Sequence, residues 1–304
     1  MNPSVILFFT VRHLTLKLAA LGMLATTFAA AAQNGAGSAS ENLSAQMIVD
    51  RAVTRAEAQH DLQVDARFES LVSMSMQSLD SSGKATKTEL TNYRQYPLNG
   101  ALYEEQIAND GRALTEQERK EEENNKKKFI REVEKRKKRN LHPQPEKRPG
   151  IRFGSQLMRR YRFRILKSEE VDRRLCWVIA FEPKEGELPV DEMMDHALNQ
   201  STGALWIAQE DYGLARLTFV MRKPFKYWAG LLAVIRNTEG RLDFQRVESN
   251  VWMPSYFDLK LDLNVIMFKD IRRLITKKWT DYTRIGRTNA ASNTADIASP
   301  GQIK

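Results

Sequence analysis

What the chain lacks narrows its function early. It has a single cysteine among 304 residues, which excludes an intramolecular disulfide and a thiolate metal cluster. That residue, Cys176, lies between Leu175 and Trp177 in an apolar, strand-like run, where a buried structural thiol is expected. Histidine is scarce too: with His13 set aside in the N-terminal leader, His60, His142 and His196 are scattered, and none has a second histidine nearby in sequence. There is no G-x-S-x-G, no glycine-rich phosphate loop, no H-E-x-x-H and no paired-cysteine motif. Without a nucleophile turn or a phosphate cradle, no catalytic residue and no cofactor is assigned, and the chain reads as a non-enzyme. The nearest approach to a metal site is DEMMDHALNQ, where Glu192 and His196 stand at i and i+4 with Asp195 beside them. Acids at a helix start and a histidine near its end are ordinary responses to the helix dipole, so no metal is assigned.

Long apolar runs are absent after the N-terminus. Arg12 and Lys17 precede LAALGMLATTFAAAA, which closes on Ala30, Ala31 and Ala32 before Gln33. A basic start, an apolar core and a small-residue end form the pattern of a cleaved secretory signal over residues 1–32. The core, about fifteen residues, is shorter than the ~20 that a membrane-spanning helix needs. Export to the periplasm, with cleavage near Ala32, is the expectation. Residues 33–42 then read as a flexible linker, and 286–304, rich in Asn, Ser, Ala and Thr, as a disordered tail.

Acids are the minority charge, 38 against 47 bases, for a net charge of +9. The bases crowd into RALTEQERKEEENNKKKFIREVEKRKKRN, residues 112–140. In a cytoplasmic protein such a run suggests nucleic acid, but an exported chain meets none. Thr115 and Glu118 form a capping-box pattern, acids fill the first half and bases the second, as the helix dipole prefers. Glu116–Lys120, Glu122–Lys126, Glu123–Lys127, Glu132–Arg136 and Glu134–Lys138 are acid-first pairs at i,i+4. The segment 112–149 is therefore predicted to be a charged helical insertion, mostly solvated and docked through Phe129, Ile130 and Val133. Its basic end, Lys135, Arg136, Lys137, Lys138 and Arg139, is the candidate contact for an anionic membrane surface or an envelope protein.

Outside the insertion the dominant period is two. A short helix comes first, with Leu43, Met47, Ile48, Ala52, Val53 and Ala56 at helical spacing and Ser44 as N-cap. From Ala66 the pattern alternates: Phe68, Val72, Met74 and Met76 face one way. The turn DSSGK leads to KTELTNYRQYPL, and Asn99-Gly100 leads to ALYEEQIAND, a three-stranded antiparallel meander. After the insertion come YRFRILKSEEV, RLCWVIAFEP, GALWIAQED, LARLTFVMRK, RLDFQRVES, VWMPSYFDLKLDLNVIMFKD and ITKKWTDYTRI. In FDLKLDLNVIMF, Phe257, Leu259, Leu261, Leu263, Val265 and Met267 alternate with Asp258, Lys260, Asp262 and Asn264, which implies one dry and one wet face. About ten such strands in sequence predict an α+β chain, mainly antiparallel, whose sheet curves or closes. Four of the five tryptophans fall in strands and read as packing; Trp228, in the loop KPFKYWAG with Phe225 and Tyr227, is the candidate membrane contact.

YRFRILKSEEVDRRLCWVIAFEPKEGE, GALWIAQEDYGLARL, DFQRVESNVWMPSYF and the terminal WTDYTRI give the chain a familiar aspect. With the leader, the N-terminal helix and the meander, it resembles the bacterial outer-membrane lipoprotein-sorting proteins of the LolA/LolB-like superfamily. The resemblance implies a strongly curved, unclosed half-barrel over residues 43–285, covered by helices, whose apolar concave face receives the acyl chains of a lipid or lipoprotein. It implies a carrier, or an envelope regulatory or scaffolding protein of the same fold. On this view the ligand-facing wall is Val72, Met74, Met76, Leu259, Leu261, Leu263, Val265 and Met267. The charged insertion is longer than such carriers require, a departure from the pattern.

Overall fold

A computed structural model describes residues 43–144, 153–190, 193–227, 233–265 and 269–286. The leader, the linker, all of the tail after Gly286, Glu192, Trp228 and Met267 lie outside them. Chain order is helix α1 (Ala45–Asp61), strands β1 (Phe68–Leu79), β2 (Ala85–Leu98), β3 (Ala101–Asn109) and β4 (Arg112–Ala113), then helices α2 (Glu116–Lys138) and α3 (Gln156–Arg160). There follow β5 (Tyr161–Val171), β6 (Arg174–Pro183), helix α4 (Met193–Leu198), β7 (Ser201–Ala208), β8 (Leu214–Met221), β9 (Phe225–Tyr227), β10 (Ala233–Glu248), β11 (Val251–Val265) and β12 (Lys269–Arg284).

The strands form one antiparallel 12-stranded sheet in the order β4-β3-β2-β1-β12-β11-β10-β8-β7-β6-β5, with β9 on the end of β10. It is two meanders joined where the last strand returns to the first: β12 pairs with β1 from Leu79↔Arg272 to Phe68↔Arg284. The sheet does not close, since β4 and β5 are its edges. The chain leaves one edge through α2 and enters the other at β5, so the insertion is the link between the two edges. As an α-helix, the 23 residues of α2 extend ~34 Å, a length suited to that traverse.

Curvature follows from what α1 touches. Its buried stripe, Ile48, Val49, Ala52 and Val53, packs in one cluster with Tyr161 of β5, Ile179 and Phe181 of β6, Leu205 of β7, Leu217 of β8 and Leu242 of β10. A flat sheet would set β5 and β10 ~19 Å apart at ~4.8 Å per strand, wider than the ~10 Å body of a helix. The strands wrap around α1. Two glycines allow the close packing: a Cβ on Gly203 would lie 1.9 Å from the Thr218 carbonyl oxygen, and one on Gly240 would lie 2.7 Å from the Phe219 ring. The strand pattern RLDFQRVES begins only at Arg241, yet β10 starts at Ala233 and runs through Gly240, which makes room for the Phe219 ring.

Other elements match their expectations closely. The Ser44 hydroxyl accepts from the Met47 amide and caps α1. Met47 itself differs from the expected stripe and is 44% exposed, because the buried side of α1 centres on Ile48 and Val49. Asn99 and Gly100 both take positive φ, 53° and 76°, as a two-residue hairpin turn requires. Pro254 lies inside β11 where the pairing with β10 shifts register between Asp243 and Phe244, a place where a missing N–H is tolerated. Lys269 and Asp270, expected in the same strand as Val265, begin the next one: β11 ends at Val265, which pairs with Lys269.

Candidate functional site

Register places the predicted wall on the face that α1 occupies. Leu217 pairs with Leu242, Leu242 with Phe257, Phe257 with Lys277 and Lys277 with Met74. One step along, Gly240 pairs with Leu259, Leu259 with Ile275 and Ile275 with Met76. Val72 pairs with Trp279, Leu261 with Arg273 and Leu263 with Ile271. Side chains directly opposite one another share a face, so Val72, Met74, Met76, Leu259, Leu261 and Leu263 stand together. Val265 continues the row along the backbone, its side chain outside the described part, and Met267 lies outside it altogether.

The wall is not part of the core that α1 closes. That cluster takes in residues of β5, β6, β7, β8 and β10 and none of β1, β2, β11 or β12. Val72 is 1% exposed, but Met74, Met76, Leu259, Leu261, Leu263 and Ile275 are only half-buried. The resemblance implies a concave face covered by helices. Here α1 covers one part of it, and α2 docks on the opposite face of the sheet. Tyr103 and Glu105 alternate with Glu104, which shares the wall's face through Gln95 and Ser70. Phe129 of α2 lies 4.8 Å from the Tyr103 ring, Val133 is fully buried, and Lys126 donates to Glu105 at 2.9 Å. Two surface concavities, one among Leu79, Ser82, Leu261 and Arg272 and one among Arg55, Gln59, Leu62 and Asp211, draw nothing from Met74, Met76, Leu259 or Leu263.

Sequence reading missed the two cations of this face. On β12 the inward series is Ile271, Arg273, Ile275, Lys277 and Trp279. The Lys277 ammonium pairs with Glu104 at 3.3 Å and sits over the Tyr93 and Trp279 rings at 5.9 and 5.7 Å from their centroids. Arg273 is 8% exposed, and its Nη1 donates to the Met76 sulfur at 3.1 Å. The available signal was the strand's phase: once Ile275 is inward, residues two either side must be too.

The insertion helix keeps its capping box, with Thr115 and Glu118 bonded reciprocally. Bonds from Arg112, the Thr115 amide and Asn109 hold the Glu118 carboxyl below the usual carboxylate range. Glu116 and Lys120 meet at 3.6 Å, but Glu122 and Lys126 turn to the sheet, Glu122 accepting from the Tyr103 hydroxyl. Hydrogen bonds to Tyr96 and Glu105 raise the pKa of Lys126. At the basic end Lys135, Lys137, Lys138 and Arg139 are exposed, while Arg136 Nε donates to the His142 carbonyl at 2.8 Å. Beyond it, Gln144 bonds both the amide and the carbonyl of Leu102, capping the β3 edge.

Elsewhere, chemistry-bearing residues are used in packing. Asp195, one of the candidate metal ligands, accepts from Arg160 at 2.7 Å, and His196 stacks on Phe225 at 5.1 Å. Among the described residues no group of His, Cys, Asp and Glu stands arranged to hold a metal ion. Cys176 is buried, and burial pushes its thiol pKa up to about 11. No helix among the described residues is long and apolar enough to cross a membrane.

No family model and no curated protein matches the chain. Among solved structures it is similar to a domain assigned to the outer membrane lipoprotein-sorting proteins from Vibrio parahaemolyticus, at 11% identity over 81% of this chain and 96% of that one, with a TM-score of 0.30. A LolA superfamily protein from Nitrosomonas europaea matches at 10% identity over 80% and 94%, TM-score 0.25. The MucA/MucB complex from Pseudomonas aeruginosa contains a chain at 9% identity over 75% and 94%, TM-score 0.22. Superpositions this loose carry no argument about function, which has to come from the face itself.

Proposed function

We propose that the chain is a non-catalytic periplasmic binding protein, exported by its leader, that holds or carries the acyl chain of a lipid or lipoprotein on the strip of its sheet that the described residues leave uncovered. The observation that carries this reading is the half-buried row Met74, Met76, Leu259, Leu261, Leu263 and Ile275 lying on the face of α1 but beyond its cluster. Each methylene laid against such a strip contributes about 0.8 kcal/mol, and the flexible thioethers of Met74 and Met76 adapt to an irregular chain. Native mass spectrometry after gentle extraction tests it. Bound acyl masses are expected; a bare protein that also fails to take up added acyl chains contradicts it.

A second reading, an envelope regulatory or scaffolding protein that meets a partner or an anionic membrane, is favoured by the four exposed cations Lys135, Lys137, Lys138 and Arg139 at one helix end. Trp228 would share that contact. Replacing the cations and Trp228 is expected to abolish sedimentation with anionic vesicles while leaving acyl uptake intact. Unchanged sedimentation rejects this role.

A further inference from the structure

Of the two cations on this face, Lys277 pairs with Glu104, whereas Arg273 meets no carboxylate among the described residues. A guanidinium carries five donors and a permanent charge, and it is stable in a dry setting when carboxylates or several oxygens surround it. Arg160 meets that requirement: 2% exposed, it bonds Asp195 Oδ1 at 2.7 Å, the Pro189 carbonyl at 3.0 Å and the Asn199 side chain. Arg273, 8% exposed, has the Met76 thioether at 3.1 Å as the sole hydrogen-bond partner of its side chain among the described residues. Sulfur of this kind is a weak acceptor. Its neighbours across the strands are Ser78 and Leu261. Two acids on the same face are engaged elsewhere: Glu89, opposite Met76, pairs with Lys87, and Glu104 pairs with Lys277. Arg272, one residue before, points to the other face and satisfies itself on Asp262.

We infer that Arg273 is the headgroup site of the strip, and that the occupant is an amphiphile bearing an anionic oxygen group, a carboxylate or a phosphate, next to its acyl chain. The inference rests on the acyl-chain reading of the strip and deepens it. The chain lies along Met76, Leu259, Leu261 and Ile275, and the anion takes the planar fork of Arg273, whose geometry suits two parallel bonds to a carboxylate or phosphate. Such a pair, formed where apolar side chains limit water, discriminates against a neutral headgroup on the same chain.

The test is titration calorimetry of the full mature chain with dodecanoate and dodecyl phosphate below their micelle concentrations and dodecanol below its solubility limit. Both anions are expected to bind about tenfold or more tightly than the alcohol, and whichever anion binds better identifies the source, free fatty acid or phospholipid-like. Arg273→Met is expected to bring the three affinities together by weakening the anions and sparing the alcohol, and to melt at or above the wild-type temperature. Arg273→Gln, which keeps a polar amide, gives the same answer should the methionine variant not fold. Equal binding of all three by the wild type, or a preference that survives both variants, overturns the role of Arg273 and leaves the acyl strip standing. Failure of the wild type to bind any of the three overturns both.

Discussion

On the helix-covered side of the sheet, Arg160 is held by a carboxylate, a side-chain amide and a backbone carbonyl, whereas on the uncovered side Arg273 faces a thioether. The same contrast runs through the apolar residues. Ile179 and Leu205 are 0% and 1% exposed beneath α1, while Met76, Leu259 and Leu261, on the same face a few strands away, are half-buried. One side of the face is finished within the chain; the other has apolar area and a charge that the described residues leave uncovered. The difference teaches that a continuous alternating pattern does not tell core from binding surface. What tells them apart is where α1 ends.

The sharpest way to break the comparison is to remove each arginine. Arg160→Met removes the buried guanidinium that pairs with Asp195 and is expected to cost about 3–5 kcal/mol in urea unfolding, whereas Arg273→Met should cost nothing. Equal losses would mean that Arg273 is structural. Next comes the pair Leu205→Ala and Leu259→Ala. The first opens a cavity under α1 and should lose about 3 kcal/mol; the second should lose less than about 1.5, as expected for half the burial, yet weaken uptake of a dodecyl chain.

Smaller effects concern α2, which serves neither side. Thr115→Ala removes one arm of the capping box and is expected to cost about 1 kcal/mol, seen as faster amide exchange along α2 with no change in acyl uptake. Last is an alkaline effect from two buried groups, Tyr161 beneath α1 and Cys176 in a separate cluster on the other face of the sheet. Burial raises the Cys176 thiol to about 11 and the Tyr161 phenol to about 12. Both are neutral in the fold, so their contribution is full below the unfolded values, ~8.5 for thiol and ~10 for phenol, and is lost as pH climbs through 11 and 12. Stability should decline over that range, and Cys176→Ala should remove the earlier part of the decline.

Much of the local structure was readable from local signals. YRFRILKSEEV and RLCWVIAFEP coincide with β5 and β6, the Asn99-Gly100 turn and both helix caps form as written, and Phe129 and Val133 dock α2. Non-local facts were not readable. Nothing near β1 announces that it pairs with a strand some two hundred positions later, as the Met76↔Ile275 register requires. Arg273 and Lys277 escaped notice because ITKKWTDYTRI carries lysine on both faces, Lys277 inward and Lys278 outward, which blurs the period of two. Glu122 and Lys126 looked like a helix pair and are drawn apart by Tyr103 and Glu105, partners that only the tertiary fold supplies.

The central claim is that the uncovered strip, and not the core beneath α1, receives an acyl chain. A spin-labelled fatty acid added to methyl-labelled protein tests it by paramagnetic broadening. The methyl signals of Met74, Met76, Leu259, Leu261 and Leu263 should broaden, and those of Ile48, Ile179 and Leu205 should not. Broadening of neither set, or of both equally, would contradict the account.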